Sequence, residues 1–272
     1  MSKKPGTAPE DAVPVSRNTV IRLLIIPVLI YIIWMIECFL FGSTEHFIIA
    51  PAGPAIFLYT LVPCILTGLV IPVFLIQRAF VSGSVTMFQF GFRSLRRTIL
   101  VVIITFLVLC ICIFLFDPAM RAGFMQNFLF LLPTGIATAM ICWVLVGTHV
   151  QALVRSGGAA LSIPVGIMVT SILFIPVALV LAPMERSPDL ITLYFGVGIL
   201  MALFFFAVRD IYAAGIAVTG CLVFLFSGSI NPAEIASVLP WVYGAAIMTT
   251  GVLAGIHWYL SRRFVTIPVP CA

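Results

Sequence analysis

The sequence predicts an all-α polytopic membrane bundle of about eight transmembrane helices with both termini cytoplasmic. Three observations carry that prediction. Hydrophobic residues make up 62% of the 272 positions and charged residues only 8%, whereas a water-soluble domain carries about a quarter charged residues. So little polar surface cannot clothe a soluble body, and the solvent must be lipid. The apolar residues also fall into continuous runs near the twenty residues that a helix needs to cross hydrocarbon, not into the alternating segments of about ten that build a membrane barrel. Finally, the basic residues partition between alternate loops.

The chain opens with "MSKKPGTAPEDAVPVSRN", polar and rich in Pro, Ala and Ser, which predicts a disordered tail over 1–19. It is not a secretory signal. The apolar run that follows is too long for an h-region, and no small-residue cleavage site precedes a mature domain. Eight runs come next, at roughly 20–42, 54–77, 99–116, 126–150, 161–182, 190–208, 211–228 and 238–260. They make one transmembrane domain over 20–260, with a short tail at 261–272. Only Arg209 and Asp210 separate the sixth and seventh runs, which predicts a tight helical hairpin with Asp210 paired locally to Arg209.

Charge tests the count. With the N-terminus inside, the inner segments hold Lys3, Lys4, Arg17, Arg22, Arg78, Arg93, Arg96, Arg97, Arg155, Arg209, Arg262 and Arg263, and the outer loops hold Arg121 and Arg186. Twelve against two is a strong positive-inside bias, and a missed or extra span would scramble it downstream. The net charge of +5 follows from that topology, so no nucleic-acid partner is implied. In the segment 78–98, Phe88, Phe90 and Phe92 alternate with small or polar residues ahead of Arg93, Arg96 and Arg97. Aromatics beside a basic cluster suit a segment lying along anionic headgroups.

Seven cysteines are an odd count and most lie in apolar runs, so they predict packing residues and no disulfide framework. Cys110 and Cys112 point about 200° apart on a helix and cannot chelate one ion together. Prolines interrupt the runs at Pro27, Pro63, Pro72, Pro133, Pro164, Pro176 and Pro240, which membrane helices tolerate where neighbours satisfy the freed carbonyls. Gly251 and Gly255 form a GxxxG packing motif in the last run.

Ionisable groups inside a span are functional candidates because burying them is costly. Glu37, in "WMIECFLFG", is the one carboxylate clearly within a run. It is either an interfacial residue reaching toward the headgroups or a functional group. His149, in "VGTHVQALVRSGG", raises the question of a metal. A metal hydrolase needs three or four converging ligands, but His46, His149 and His257 are expected at the outer, inner and inner faces and cannot all meet. An interfacial role for His149 follows, and His257 with Trp258 suits an anchor belt. No HExxH, GxSxG, phosphate-cradling loop or paired carboxylates within a span occurs. No metal and no cofactor are implied.

Three stretches of the second half share a frame with one family. "ICWVLVGTHVQALVRSG" keeps Gly147, Leu153, Arg155 and Gly157; "SILFIPVALVLAP" keeps Phe174; and "RDIYAAGIAVTGCLVF" keeps Ile211, Tyr212, Ala213 and Ala214. Over about residues 125–228 the chain thus resembles the CPBP intramembrane proteases, which include type II CAAX prenyl endopeptidases and bacteriocin-processing enzymes. The resemblance implies a bundle of about eight helices. It also locates the family's active positions: the glutamate pair on Ile141 and Cys142, the arginine on Val146, the two histidines on Ala178 and Val218, and the asparagine on Leu222. Apart from the Cys142 thiol, these side chains offer no base and no metal ligand, and a single thiol is not a site.

The expectation is therefore a membrane protein with a CPBP-like bundle and no catalytic residues, acting as a binding or scaffold protein. Its partners would be membrane lipids and an apolar or membrane-peptide ligand facing Ile141, Ala178, Val218 and Leu222. Two alternatives stay open. One is a permease for a small solute, using Glu37 and the proline-interrupted helices. The other is a peptidase with a divergent site drawing on Glu37, Asp210 or His149. The expected location is a prokaryotic plasma membrane.

Overall fold

The computed structural model describes residues 24–42, 51–81, 90–115, 118–154, 158–181, 188–226, 230 and 232–264. Nine helices and no strands occur among them. They are α1 (Ile26–Gly42), α2 (53–81), α3 (Leu95–Phe114), α4 (118–153), α5 (Ala159–Leu181), α6 (Pro188–Val208), α7 (Ile211–Phe226), α8 (Pro232–Ser237) and α9 (Leu239–Phe264). Each of the eight apolar runs is one helix, and α8 is a short addition ahead of α9. The tail over 1–19 lies outside the described residues, and α9 continues to Phe264, past the expected start of the C-terminal tail.

Six helices, α2 to α6 and α9, are long and apolar enough to cross a membrane. The chain is an integral membrane protein. Helices α1 and α7 are apolar but have 17 and 16 residues, about 25 Å of helix against a hydrocarbon core of about 30 Å. Apolar side chains on the outside of the bundle match a lipid solvent. On α3, Ile99, Leu100, Ile103, Ile104, Leu107 and Ile111 are all exposed, a face that water would not tolerate on a monomer.

Helix α4 is the central post. Every residue from Phe130 to Gln151 is buried, and α1, α2, α5, α7 and α9 pack around it. Helix α6 lies on α5 and α7, and α3 lies at the edge against α7. Small residues set the closest approaches, as expected where lipid supplies no hydrophobic drive between helices. A Cβ on Gly135 would stand 2.1 Å from the Thr219 hydroxyl and 2.9 Å from its backbone nitrogen, and one on Gly68 would stand 2.7 Å from the Ala137 methyl. The Gly251–Gly255 motif takes no such part: a Cβ on either would meet nothing within 4 Å. That face of α9 is open because the bundle turns its other side, with Leu253 and Leu260, to the core.

Two helices widen into π turns where they flank each other, α2 over Thr60–Val70 and α4 over Ala139–Gly147. The Ile71 N–H closes on the Leu66 carbonyl and the Thr148 N–H reaches the Trp143 carbonyl, five residues back in each case. Pro63 lies in the first segment. It has no N–H to give and its ring would crowd the carbonyl four residues earlier in an α-helix. Such segments are rare and often mark functional places.

Candidate functional site

All six positions that the resemblance singles out lie in one packed core. Ile141, Cys142 and Val146 sit on the wide turn of α4, Ala178 on α5, and Val218 and Leu222 on α7. Their exposures run from 0 to 1%, so none of them faces open solvent. The apolar surface expected to receive a ligand is already covered by its neighbours. An apolar depression does exist on the outside, about 320 Å3 between α1 and α5, with Tyr31, Met35, Phe39, Pro176 and Val180 among its walls.

Glu37 is half-buried on α1. Its Oε2 is shielded from solvent and has no hydrogen-bond partner among the described residues. The adjacent turn holds a short polar chain through three helices. Thr134 of α4 donates to the Tyr59 hydroxyl of α2 at 3.3 Å, and Tyr59 donates to the Cys38 thiol of α1 at 3.9 Å. The indole N–H groups of Trp34 and Trp143 are fully buried and likewise unpartnered among the described residues.

The richest polar arrangement lies at the end where the arginines were expected to gather. Gly91 holds a left-handed φ of 82°, and a Cβ there would stand 3.1 Å from the Ile211 nitrogen. Only glycine lets the segment 90–94 press this closely onto the α6–α7 turn. The Gly91 carbonyl accepts from the Ile211 N–H at 3.2 Å. The turn itself has two residues. Arg209 closes α6 in the left-handed region, φ 53°, with its N–H donating to the Phe205 carbonyl at 2.7 Å, an αL helix stop usually given to glycine or asparagine. Asp210 then caps α7: its Oδ1 accepts from the Tyr212 and Ala213 N–H groups at 3.0 and 3.1 Å, and its Oδ2 accepts from the Thr98 hydroxyl at 2.7 Å. The carboxylate is completely buried, yet a carboxylate with three donors is a satisfied one.

Arginines surround this turn. Arg209 donates to the Gln151 side-chain oxygen, with its guanidinium 4.7 Å from the centre of the Phe206 ring. Arg93 donates to the Arg209 carbonyl at 3.3 Å and Arg97 to the Val208 carbonyl at 3.3 Å. Burial first, then the like charge of Arg93, brings the Arg209 guanidinium down to about 10. Burial, followed by the Arg97 charge, also lowers Arg93, and Asp210 opposes that shift. His257 of α9 completes the ring, with Nε2–H donating to the Arg93 carbonyl at 2.9 Å and Nδ1 lying 3.2 Å from the Tyr212 hydroxyl.

Several expectations change here. Phe90 and Phe92 do not lie along headgroups: they are 0% and 5% exposed, with Phe90 against His149 and Phe92 against His257, ring centres 5.7 Å apart in both pairs. Phe88 lies outside the described residues. His149 is likewise buried inside the bundle. At 1% exposure its Nδ1–H donates to the Leu145 carbonyl one turn back, and Phe90 covers its ring. His257 is a clamp on the 90–94 segment and not part of an anchor belt, although Trp258 and Tyr259 beside it are exposed. Asp210 serves α7 and Thr98, and the local pair with Arg209 is not what fixes it. Sequence reasoning missed Thr98, Gln151 and Tyr212 as members of this network. The one available signal was an aspartate directly before a helical run, the ordinary N-cap mark.

Among the described residues, no three His, Cys, Asp or Glu side chains are placed to hold a metal ion. Comparison with protein-family models, with curated proteins and with solved structures gives no match to this chain.

Proposed function

We propose that this integral membrane protein acts by binding and not by catalysis, as a helical bundle of the CPBP kind whose catalytic positions have become core. One observation carries the reading: Ile141, Cys142, Val146, Ala178, Val218 and Leu222 share one core at 0 to 1% exposure. Peptide hydrolysis needs an activated water and a base or metal to activate it. A packed apolar centre offers neither the groups nor the volume. An apolar or membrane-peptide ligand fits this reading better at the lipid-facing depression between α1 and α5 than in the filled middle.

The test combines proximity and activity. With Cys142 kept and the other cysteines removed, Ala178→Cys and Val218→Cys are introduced singly and bridged by oxidation or mercury in native membranes. A disulfide needs Cα atoms within about 7 Å. Crosslinking of both pairs, together with no cleavage of prenylated or membrane peptides with or without zinc, is the expected result. Specific cleavage abolished by one point change would overturn the proposal.

A second reading has its own observation. The buried Oε2 of Glu37, unpartnered among the described residues and next to the Thr134–Tyr59–Cys38 chain, is the kind of intramembrane group that serves solute or proton pathways. Flux into proteoliposomes that is lost in Glu37→Gln would favour a permease. Flux indifferent to that change would remove its support.

A further inference from the structure

Both ring nitrogens of His257 face oxygen, and the protons available do not suffice for a neutral ring. The residue is 8% exposed, near the basic end of α9. Nε2 lies 2.9 Å from the Arg93 carbonyl, which can only accept, so Nε2 carries a proton. Nδ1 lies 3.2 Å from the Tyr212 hydroxyl. That hydroxyl has one proton, and it donates to the Leu253 carbonyl, 3.3 Å away and one helical turn before His257. Only lone pairs are then left for Nδ1, which must donate as well. All three contacts are hydrogen bonds at once only when the imidazole is protonated on both nitrogens.

A neutral ring keeps the Nε2–H bond and turns Nδ1 into an acceptor. The Tyr212 proton then goes either to Nδ1 or to the Leu253 carbonyl, and one of the three contacts is left unmade. Protonation therefore adds a hydrogen bond and breaks none, and bonds given by a cation are about twice as strong as neutral ones. The surrounding groups carry both signs. In the 90–94 segment, Arg93 offers its carbonyl to the ring and sends its guanidinium to the Arg209 carbonyl. The α6–α7 turn brings Arg209 and the Asp210 carboxylate, which takes the Tyr212 N–H. Arg97 of α3 is bonded to the Val208 carbonyl, and His149 of α4 lies behind Phe90. On α9 itself no charged residue precedes Arg262.

We propose that His257 is a proton-operated clamp: its imidazolium, bonded at once to the Arg93 carbonyl and the Tyr212 hydroxyl, holds the 90–94 segment against α7 and α9, and loss of one proton slackens that hold. The Arg93 carbonyl is two residues from Gly91, whose left-handed turn and bond to the Ile211 N–H seat the same segment on the α6–α7 turn. The clamp thus makes the packing at the basic, expected cytoplasmic, end of the bundle respond to acidity. It is independent of the resemblance and of the binding reading.

The experiment uses the full chain in a neutral detergent. Amide hydrogen exchange at residues 90–94 and at Ile211, corrected for the intrinsic effect of pH, is compared at about pH 5 and about pH 8, on either side of the histidine range. Because the proton favours the closed segment, the hold is complete on the acid side and is lost as pH rises. Wild type is expected to be about tenfold better protected on the acid side, the worth of one charge-assisted hydrogen bond. His257→Gln, which has no titrating group, should remove the difference, and Tyr212→Phe, which takes away the acceptor of Nδ1–H, should shrink it. Unfolding temperatures show that the variants fold. A readout without any change at position 257 comes from nuclear magnetic resonance of isotopically labelled histidine, with His46→Gln and His149→Gln used to assign the signals. Both nitrogens of His257 should be protonated on the acid side. Equal protection at the two pH values, a ring that stays neutral on the acid side, or a pH response that survives His257→Gln in folded protein and so belongs to another group such as His149, overturns the clamp.

Discussion

The middle of this bundle and its basic end are held together by opposite means. In the middle, α4 meets α2, α5 and α7 through small residues and apolar side chains, with Ile141, Cys142, Val146, Ala178, Val218 and Leu222 at 0–1% exposure. At the basic end, a glycine-hinged segment, a two-residue turn and the start of α7 are joined by charged and polar hydrogen bonds, with Asp210 buried at the hub. Shape complementarity holds the first region, where the Cys142 thiol is the one titratable group among those six positions. Satisfaction of polar groups holds the second.

The contrast makes different predictions for the two regions. The largest effect belongs to the middle. Gly135→Val places a branched side chain where a single Cβ already meets Thr219 at 2.1 Å from its hydroxyl and 3.0 Å from its Cα. The obstacle is backbone, so repacking cannot absorb it, and a loss of about 3 kcal/mol or more is expected in a reversible unfolding assay. A loss below about 1 kcal/mol would mean that α4 and α7 are not held at this distance. Next comes the hub of the basic end. Asp210→Ala removes a helix cap, worth about 0.5–2 kcal/mol, and strands the buried Thr98 hydroxyl at about 1–3 kcal/mol. A loss of about 2–3 kcal/mol is expected, with Asp210→Asn milder because it keeps a capping oxygen. If alanine is tolerated as an exposed loop residue would be, the polar end is ornament. Smaller again is Tyr212→Phe. It removes the hydroxyl that donates to the Leu253 carbonyl at 3.3 Å and lies beside His257. About 1 kcal/mol should be lost, and hydrogen exchange at the α7–α9 contact should rise before global unfolding does.

These two regions were unequally legible in the sequence. All eight apolar helices could be located, six of them long enough to cross a membrane, because lipid imposes a length and a composition that a sequence displays directly. The meeting of Arg93, Arg97 and Arg209 at one end follows from the charge bias that set the topology. What sits inside the bundle was harder to see. An alternating Phe-x-Phe-x-Phe before arginines looks the same whether it lies on headgroups or folds inward, and only the turn at Gly91, packed on Ile211, sends Phe90 and Phe92 into the core. His149 looked interfacial because polar residues follow it, yet the cover that buries it comes from residue 90, far away in the chain. Burial of this kind depends on long-range packing, which periodicity does not encode. Asp210 was the exception: the N-cap rule applies to it locally and would have found its role.

The smallest expected effect decides the most about Glu37. Its Oε2 is shielded and unpartnered among the described residues, none of which gives that oxygen a donor in return for the water it loses. If Glu37 were only a structural residue, Glu37→Gln would remove the possibility of an unpaired charge near the hydrocarbon and retain the shape. The protein would then unfold at an equal or slightly higher temperature, a gain of up to about 1 kcal/mol. A clear loss of stability would instead mean that the carboxyl group makes a favourable interaction, with lipid, water or an ion, that glutamine cannot reproduce. A stability gain alone cannot establish transport, because functional sites commonly cost stability. Paired with flux, it separates the readings: a stabilised variant with unchanged flux leaves Glu37 as a tolerated cost of the fold, whereas a stabilised variant that has lost flux marks the carboxylate as retained for what it does.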